Sequence, residues 1–364
     1  MLFGYPIESF ENNWLHEALI EMLGTDLDLI DAGNDWEPWP VCIPAHYLAK
    51  LEARHGLRDR RRNFLQAYSN LSDVDRAAVR NAMQRQNQIP DVFNDLDPCP
   101  TLDDLNQTIR ESAKALFKFA FEILTGLGLR DANYALFYEN LSHRVCAFCG
   151  LEPLDSSEQK REALDHYLVF DRYPFAGANF RNLSPMGNKC NSRYKLQQDI
   201  LIDSDTGGRR RCCDPYASPE IELRLHNSRP FEGVTTNLTI CPDWEIEWDG
   251  GDADRLNVWE TVFDIPNRIR GSSLNPNFRD WVSHFALWAA RAKGQLNQRD
   301  HMREALREFA EIVLPEGYSD QAFLKRATIL MLSVKCDQTD DGERLHSWLV
   351  DLVSNYADSE PMAA

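Results

Sequence analysis

The chain has 364 residues and a formal net charge of −18, with 39 Lys and Arg against 57 Asp and Glu. That length is enough for about two or three domains. Nine unevenly placed cysteines favour a reducing compartment over a disulfide scaffold. The first residues, MLFGYPIESFENN, lack the basic and apolar regions of a secretory signal, and no apolar run approaches the roughly 18–20 residues of a membrane span. We therefore expect a soluble, cytoplasmic protein.

The acidic charge is concentrated in two stretches. No Lys or Arg precedes Lys50, and residues 243–264 hold eight acidic residues against Arg255. These stretches are either solvated surfaces, or surfaces that face a basic partner or keep DNA from binding. Residues 141–215, with eleven basic and ten acidic residues, are nearly neutral. Binding to nucleic acid would therefore depend on local basic groups rather than on the overall charge.

Residues 1–140 are predicted to be helical. Apolar residues recur at helical spacing in the first segment, and a broad apolar stripe covers residues 102–127, where Gly126 and Gly128 would end a helix. Between these segments, the basic residues of 50–62 form either a phosphate-contacting face or an exposed helix face.

The most informative stretch is residues 146–195. It contains side chains suited to metal binding and acid–base chemistry, namely Cys146, Cys149, Asp165, His166, Asn182, Cys190, Asn191, Arg193 and Lys195. An imidazole with a pKa of about 6.5 is neutral, and so basic, near pH 7. Carboxylate and amide oxygens are the ligands that Mg²⁺ prefers. Because neighbouring strand residues point to opposite faces, Asp165 and His166 can serve one site only at a bulge or a strand end.

The order and spacing of these residues resemble the HNH nuclease family. Its ββα-metal core has a Cys-x-x-Cys pair, Asp-His on the first strand, Asn-Leu-x-Pro on the second, and Cys-Asn-x-x-x-Lys entering the helix. The resemblance covers 146–215 well and 216–270 faintly, and it implies a central HNH module. Together with the helical periodicity on both sides, it predicts an α+β, mostly helical chain. The regions expected are a helical N-terminal region at 1–140, the nuclease core at 141–215, a small β/α extension at 216–270 and a helical C-terminal region at 271–364.

The resemblance also implies a role for each residue of the site. His166 would be the general base, and Asp165 and Asn191 would bind a catalytic Mg²⁺ or Mn²⁺. Asn182 would hold the catalytic loop. The two basic residues of the predicted helix, Arg193 and Lys195, would steady the phosphate. Farther along, Arg209, Arg210 and Arg211 form a compact cluster that predicts contact with a phosphate backbone.

The cysteines predict a structural zinc site that lacks one ligand. A structural Zn²⁺ takes four ligands, commonly thiolates, and many HNH proteins supply them from two Cys-x-x-Cys pairs. Here the second pair reads Gly-Asn-Lys-Cys, with Gly187 where a cysteine is expected. The thiols that remain are those of Cys146, Cys149 and Cys190. The fourth ligand could be Cys212, with Cys213 and His143 as alternatives, or the site binds no zinc.

The segments after the site are predicted to form a small sheet and a second helical region. Residues 220–249 alternate as strands do, and apolar residues recur at helical spacing from about 277 to 353. Between them, Trp259-x-x-x-Phe263-x-Ile265-x-x-Arg268 is either an amphipathic helix covering the sheet or a run that resembles one in bacterial HNH proteins.

Within the HNH family, DHYLVFDRYPFAGANFRNLSP is similar to the branch used in bacterial anti-phage systems such as the nuclease component of Septu. Members of that branch commonly have Pro-Lys where this chain has Val169-Phe170. The resemblance implies a DNA substrate and a partner, an ATPase or another sensor, that releases nuclease activity. Two alternatives stay open: an RNA-cleaving nuclease, and a non-catalytic, zinc-stabilised scaffold that binds nucleic acid or protein.

Overall fold

The computed structural model describes residues 1–159, 161–233, 241–293, 296–338 and 342–357. Within them the chain is mostly helical, with two small antiparallel sheets. This confirms the predicted α+β class with a high helix content. No helix in the described ranges is long and apolar enough to cross a membrane.

The N-terminal region is helical, as predicted. Its helices are α1 (Trp14–Asp31), α2 (Leu48–Leu51), α3 (His55–Ser69), α4 (Asp73–Gln86), α5 (Asp91–Asn94), α6 (Gln107–Gly126) and α7 (Leu129–Glu139). The Ser72 side chain accepts a hydrogen bond from the backbone N–H of Asp75 and so caps α4. Gly128, with φ of 71°, separates α6 from α7, which explains why the apolar stripe ends there.

Two hairpin-like strand pairs follow. Strand β1 (Ala163–His166) pairs antiparallel with β2 (Leu183–Met186), and β3 (Glu222–Arg224) pairs with β4 (Glu247–Asp249). The strands expected within 220–249 are therefore present at both ends of that segment, while residues 234–240 lie outside the described residues. After β2, residues Cys190–Lys195 form a single π-helical turn rather than the longer helix expected there.

The rest of the described chain is again helical, as predicted. The helices are α8 (Ala253–Phe263), α9 (Ile265–Ile269), α10 (Asn275–Ala292), α11 (Arg299–Glu308), α12 (Ala322–Asp337) and α13 (Gly342–Ala357). Helix α8 contains Trp259, whose indole N–H donates to the carbonyl oxygen of Phe148. The Trp259–Arg268 run therefore packs against the Cys-x-x-Cys hairpin.

The β1–β2 pair lies between two hydrophobic cores. Leu164 and Leu183 belong to a core built mainly from α1, α3, α4 and α6, whereas Met186 belongs to a core that includes the C-terminal helices. Burial of each large apolar side chain contributes about 1.5–3 kcal/mol. Packing on both sides therefore fixes the position of this small sheet, which two short strands alone could not hold.

Candidate functional site

A cavity of about 260 Å³ opens at the end of β1. Its lining includes Lys118, Phe121, Asp165, His166, Val169, Phe170, Asp171, Lys195, Leu196 and Gln197. His166 is the last residue of β1. Adjacent residues within a strand point to opposite faces. Because β1 ends at His166, Asp165 and His166 can both line one cavity, as expected from the sequence for a shared site.

The imidazole of His166 is held in one orientation. Its Nε2 lies 2.8 Å from the carbonyl oxygen of Gly177. Because a carbonyl only accepts hydrogen bonds, Nε2 carries the proton and Nδ1 keeps its lone pair. The ring also lies between two aromatic rings, with centroid distances of 4.4 Å to Phe121 and 5.3 Å to Phe170. The tautomer is therefore the one in which Nδ1 can accept a proton.

Burial lowers the pKa of His166 from its usual 6.5 to about 4, and the nearby cations of Lys195 and Arg130 act in the same direction. The hydrogen bond to Gly177 opposes the shift but is the smaller influence. The imidazole is consequently neutral at pH 7, which a general base requires.

Asn182 ties the loop after β1 to the start of β2. Its side-chain oxygen accepts a hydrogen bond of 2.6 Å from the backbone N–H of Leu168, and its amide donates to the carbonyls of Leu168 and Ala176. Asn182 is fully buried. These bonds hold the loop that brings Gly177 to His166. Gly177 was not among the predicted site residues. A Cβ there would lie 2.5 Å from the Phe170 ring and 2.9 Å from the Pro174 carbonyl oxygen, so a larger residue would force these groups to shift.

The Asp165 carboxylate faces an internal cation. The ammonium of Lys195 lies 2.8 Å from Asp165 Oδ2 and donates a hydrogen bond of 2.8 Å to the His166 carbonyl oxygen. Burial raises the pKa of Asp165, and Lys195 opposes that shift. The Lys195 side chain is only 1% exposed. The prediction that Lys195 contacts phosphate directly therefore needs revision, since its ammonium is already paired inside the chain.

The predicted divalent-cation site would use a carboxylate oxygen that is already paired. Asp165 Oδ2 is buried, and it lies 2.8 Å from the Lys195 ammonium. The second predicted ligand, Asn191, is not among the residues that line the cavity, and Arg193 is exposed outside it. A metal ion would therefore compete with the Lys195 ammonium for Asp165.

The cluster of Arg209, Arg210 and Arg211 makes ion pairs within the chain. Its partners are Asp95, Asp203, Asp252 and Asp254. Arg209 and Arg210 also donate to backbone carbonyls, including those of Val92 and Ile200. The predicted phosphate-binding cluster is therefore not a set of free cations. These guanidinium groups instead connect the loop after the site to neighbouring segments.

Three of the predicted thiols form a compact group. The sulfur atoms of Cys146, Cys149 and Cys190 all lie within 4.8 Å of one another, and all three residues are buried. Such a group could hold a metal ion. Backbone N–H groups of Leu151 and Gly187 point to the sulfurs of Cys149 and Cys146 at 3.4 Å each. The Cys146 and Cys190 thiols lower the pKa of Cys149 well below its usual value, and Arg268 acts in the same direction.

The proposed fourth ligands lie elsewhere. Cys212 is buried, but it is not part of the group. The Cys213 sulfur accepts a hydrogen bond from the chain's N-terminal ammonium. His143 packs against Phe3 and Tyr318 and lies 3.4 Å from Glu220. The structure thus brings together three of the four predicted thiols.

Two charged residues that were not among the predicted site residues contact the thiol group. Glu152 Oε2 lies 3.9 Å from Cys149 Sγ. The Arg268 guanidinium lies 3.3 Å from Cys190 Sγ and 3.7 Å from Glu152. Arg268 is the last residue of the run that begins at Trp259, and that run was the signal in the sequence that could have pointed to it. Glu152, six residues after Cys146, carried none.

Scans of the chain against models of protein families, against curated proteins and against solved structures found no match. The geometry and chemistry of the two sites therefore have to support any functional conclusion.

Proposed function

We propose that this chain is a metal-dependent endonuclease of the HNH type that hydrolyses phosphodiester bonds in DNA. The observation that supports this most directly is the His166 imidazole. It is neutral at pH 7, and the bond from Nε2 to Gly177 leaves Nδ1 able to accept a proton in a cavity shared with Asp165.

Each group of the cavity has a role in this proposal. His166 Nδ1 takes the proton of the attacking water. The hydrogen bonds of Asn182 keep the loop, and with it Gly177, in place behind the imidazole. Lys118 is the other lysine that lines the cavity, and its charge suits a phosphate oxygen.

The catalytic metal of the proposal is Mg²⁺ or Mn²⁺, held by Asp165. When bound, it would supply positive charge to the transition state of phosphodiester cleavage. Its entry requires the Lys195 ammonium to release the carboxylate. Asn191 would join the ligands only if the Cys190–Lys195 turn changes shape. The metal proposed for the thiol group is zinc, because three buried thiolates suit its preference for sulfur.

The decisive test is cleavage of plasmid and linear DNA in Mg²⁺ or Mn²⁺ by the wild type and His166→Ala. We expect the variant to lose about 10²–10⁴-fold in rate. His301→Ala, which alters an exposed histidine, is the matched control. Equal activity of the wild type and His166→Ala would reject His166 as the base. Single-stranded and duplex RNA in the same assay would separate DNA cleavage from RNA cleavage.

A second candidate function is a zinc-stabilised scaffold that binds nucleic acid or protein without cleaving it. The Lys195–Asp165 ion pair favours this candidate, because it occupies the carboxylate that catalysis would need. Absence of cleavage by both the wild type and Lys195→Met, under all metal conditions, would favour the scaffold.

The same ion pair suits a nuclease that is inactive until a partner acts on it. We therefore keep, as part of the proposal, a partner that is an ATPase or another sensor in an anti-phage system. Tagged protein purified under native conditions from its own operon should bring such a partner with it. Repeated recovery of the chain alone, already active on DNA, would contradict this gating.

A further inference from the structure

We infer that Glu152 completes the thiol site, so that one zinc ion is bound by Cys146, Cys149, Cys190 and the Glu152 carboxylate. The inference rests on the zinc assignment proposed above, but it does not depend on nuclease activity. It replaces the fourth thiolate expected from the sequence with an oxygen ligand.

The spacing of two of the sulfurs matches a tetrahedral metal site. Zn–S bonds of about 2.3 Å at tetrahedral angles place two sulfurs about 3.8 Å apart. The Cys146 and Cys190 sulfurs are 3.8 Å apart. With a Zn–O bond of about 2.1 Å, the sulfur–oxygen edge is about 3.6 Å. The distance from Cys149 Sγ to Glu152 Oε2 is 3.9 Å. The Glu152 carboxylate is outside the set of ligand atoms that all lie within 4.8 Å of one another, so its side chain would have to turn toward the Cys146 and Cys190 sulfurs to complete the tetrahedron.

Glu152 occupies the space that a side chain at position 187 would need. A Cβ built on Gly187 would lie 2.8 Å from Glu152 Oε2. Gly187 itself approaches the group closely enough for its backbone N–H to donate to Cys146 Sγ at 3.4 Å. The glycine and the glutamate are therefore complementary. Loss of a side chain at 187 leaves the opening into which the carboxylate of Glu152 fits.

The local backbone holds Glu152 in this position. Cys146 and Glu152 face each other in a tight hairpin, where the N–H of Cys146 donates to the Glu152 carbonyl at 2.8 Å. At the other end, the N–H of Lys189 donates to Glu152 Oε1 at 2.9 Å. The other carboxylate oxygen, Oε2, accepts a longer bond of 3.4 Å from the N–H of Cys190, which places it beside the thiols. The partner of Oε1 thus orients the ligand, as outer hydrogen bonds do in metal sites.

Arg268 balances the charge of such a site. Three thiolates and a carboxylate around Zn²⁺ leave about two negative charges in a buried place, which is costly without a cation. The Arg268 guanidinium is 4% exposed and contacts both Cys190 and Glu152. Its positive charge lowers the free-energy cost of burying a carboxylate ligand, which is negatively charged, rather than a neutral ligand.

The experiment measures zinc per chain in protein purified without chelators, and zinc affinity by competition with a chromophoric chelator. We expect one zinc in the wild type and at least about a 10-fold loss of affinity in Glu152→Ala. Two controls should keep wild-type affinity: Glu162→Ala, a half-buried glutamate outside the group, and Cys212→Ser.

Cobalt substitution provides a second readout, should Glu152→Ala fail to fold. The intensity of the sulfur-to-cobalt charge-transfer band rises with the number of thiolates. The wild type should show the intensity of three thiolates, and Glu152→Cys that of four. Equal intensities in the two proteins, or zinc affinity lost in Cys212→Ser but kept in Glu152→Ala, would overturn the role of Glu152. Absence of zinc from the wild-type protein would rule out the metal site itself. It would not bear on the role proposed for His166, which the DNA cleavage assay tests separately.

Discussion

The thiol group and the histidine cavity lie at opposite ends of one short segment. Each contains a buried cation, but the two cations lie at different distances from the predicted ligand atoms. Cys190 begins the π-helical turn and belongs to the thiol group, and Lys195 ends it and lines the cavity. In the thiol group, the Arg268 guanidinium lies 3.3 Å from Cys190 Sγ and 3.7 Å from Glu152 Oε2. In the cavity, the Lys195 ammonium lies closer, 2.8 Å from the carboxylate oxygen that a metal would use. A buried cation can therefore balance the charge of one metal site and compete with the metal at another, depending on how closely it pairs with the ligand atom.

The variant expected to distinguish the two sites by the largest effect is Cys149→Ser. Loss of a structural metal is among the largest single-residue effects, and we expect a fall in the free energy of unfolding of at least about 4 kcal/mol. Urea denaturation together with zinc content would measure it. Ser substitution of Cys42, a half-buried cysteine outside the group, is the control. Similar stability of the two variants would mean that the thiols bind no stabilising metal.

Asn182→Ala should loosen the cavity without changing the thiol group. The substitution leaves the backbone N–H and carbonyl of Leu168 without the partners that Asn182 supplies, at a cost of about 1–3 kcal/mol for each group left unsatisfied. The Ala176 carbonyl keeps its bond from the Asn179 N–H. Hydrogen exchange should then accelerate in residues 167–177, with zinc content unchanged. If protection is lost equally around Cys146, the two sites are not independent.

Lys195→Met tests whether the ammonium opposes metal binding. Removal of the cation that contacts Asp165 should raise affinity for Mn²⁺ by about 10-fold, which is 1.4 kcal/mol. Calorimetric titration of the folded variant would measure it. Lys189→Met, at an exposed lysine near the same turn, is the matched control. Unchanged affinity in Lys195→Met would remove Asp165 from the predicted ligands.

The pH dependence of stability should reveal the buried histidine of the cavity. Because burial lowers the pKa of His166 from 6.5 to about 4, the unfolded chain binds a proton that the folded chain does not bind between these values. Its contribution to stability is therefore full above pH 6.5 and is lost as the pH falls toward 4, by about 1.4 kcal/mol per pH unit.

The buried His16 in α1 behaves in the same way, with its pKa lowered to about 4 by burial. Unfolding free energies measured from pH 7 to 4.5 should thus have a smaller slope in His166→Ala than in the wild type. A slope that is identical in both would show that the imidazole of His166 is well solvated.

Local sequence patterns predicted the helical regions and the strands within 220–249, because those features depend on periodicity. The first strand pair and the grouping of Cys190 with Cys146 and Cys149, about forty residues away in the chain, were instead implied by the resemblance to the HNH family. The sequence could not reveal that Arg209 pairs with Asp95, or Arg211 with Asp252 and Asp254, because those carboxylates are brought near only by the fold. From the sequence alone, the guanidinium groups of the basic cluster were therefore expected to be unpaired.

Glu152 and Lys195 show the same limit at shorter range. Glu152 reaches the thiols because Gly187 has no side chain and because the two segments pack together. Lys195 was expected to face a phosphate, but a single π-helical turn directs it to Asp165. A one-residue difference in helix geometry is enough to change the group that a side chain meets.

Because β1 and β2 lie between two cores, the hairpin that they form should open slowly. The strands cannot separate without exposing Leu164 and Leu183 on one side and Met186 on the other. Opening of the hairpin is therefore a near-global event rather than a local fluctuation. The frame of the cavity should persist far longer than the microsecond-to-millisecond motions of a surface loop, so that faster motion at the cavity would be confined to side chains such as Lys195 and to the Cys190–Lys195 turn.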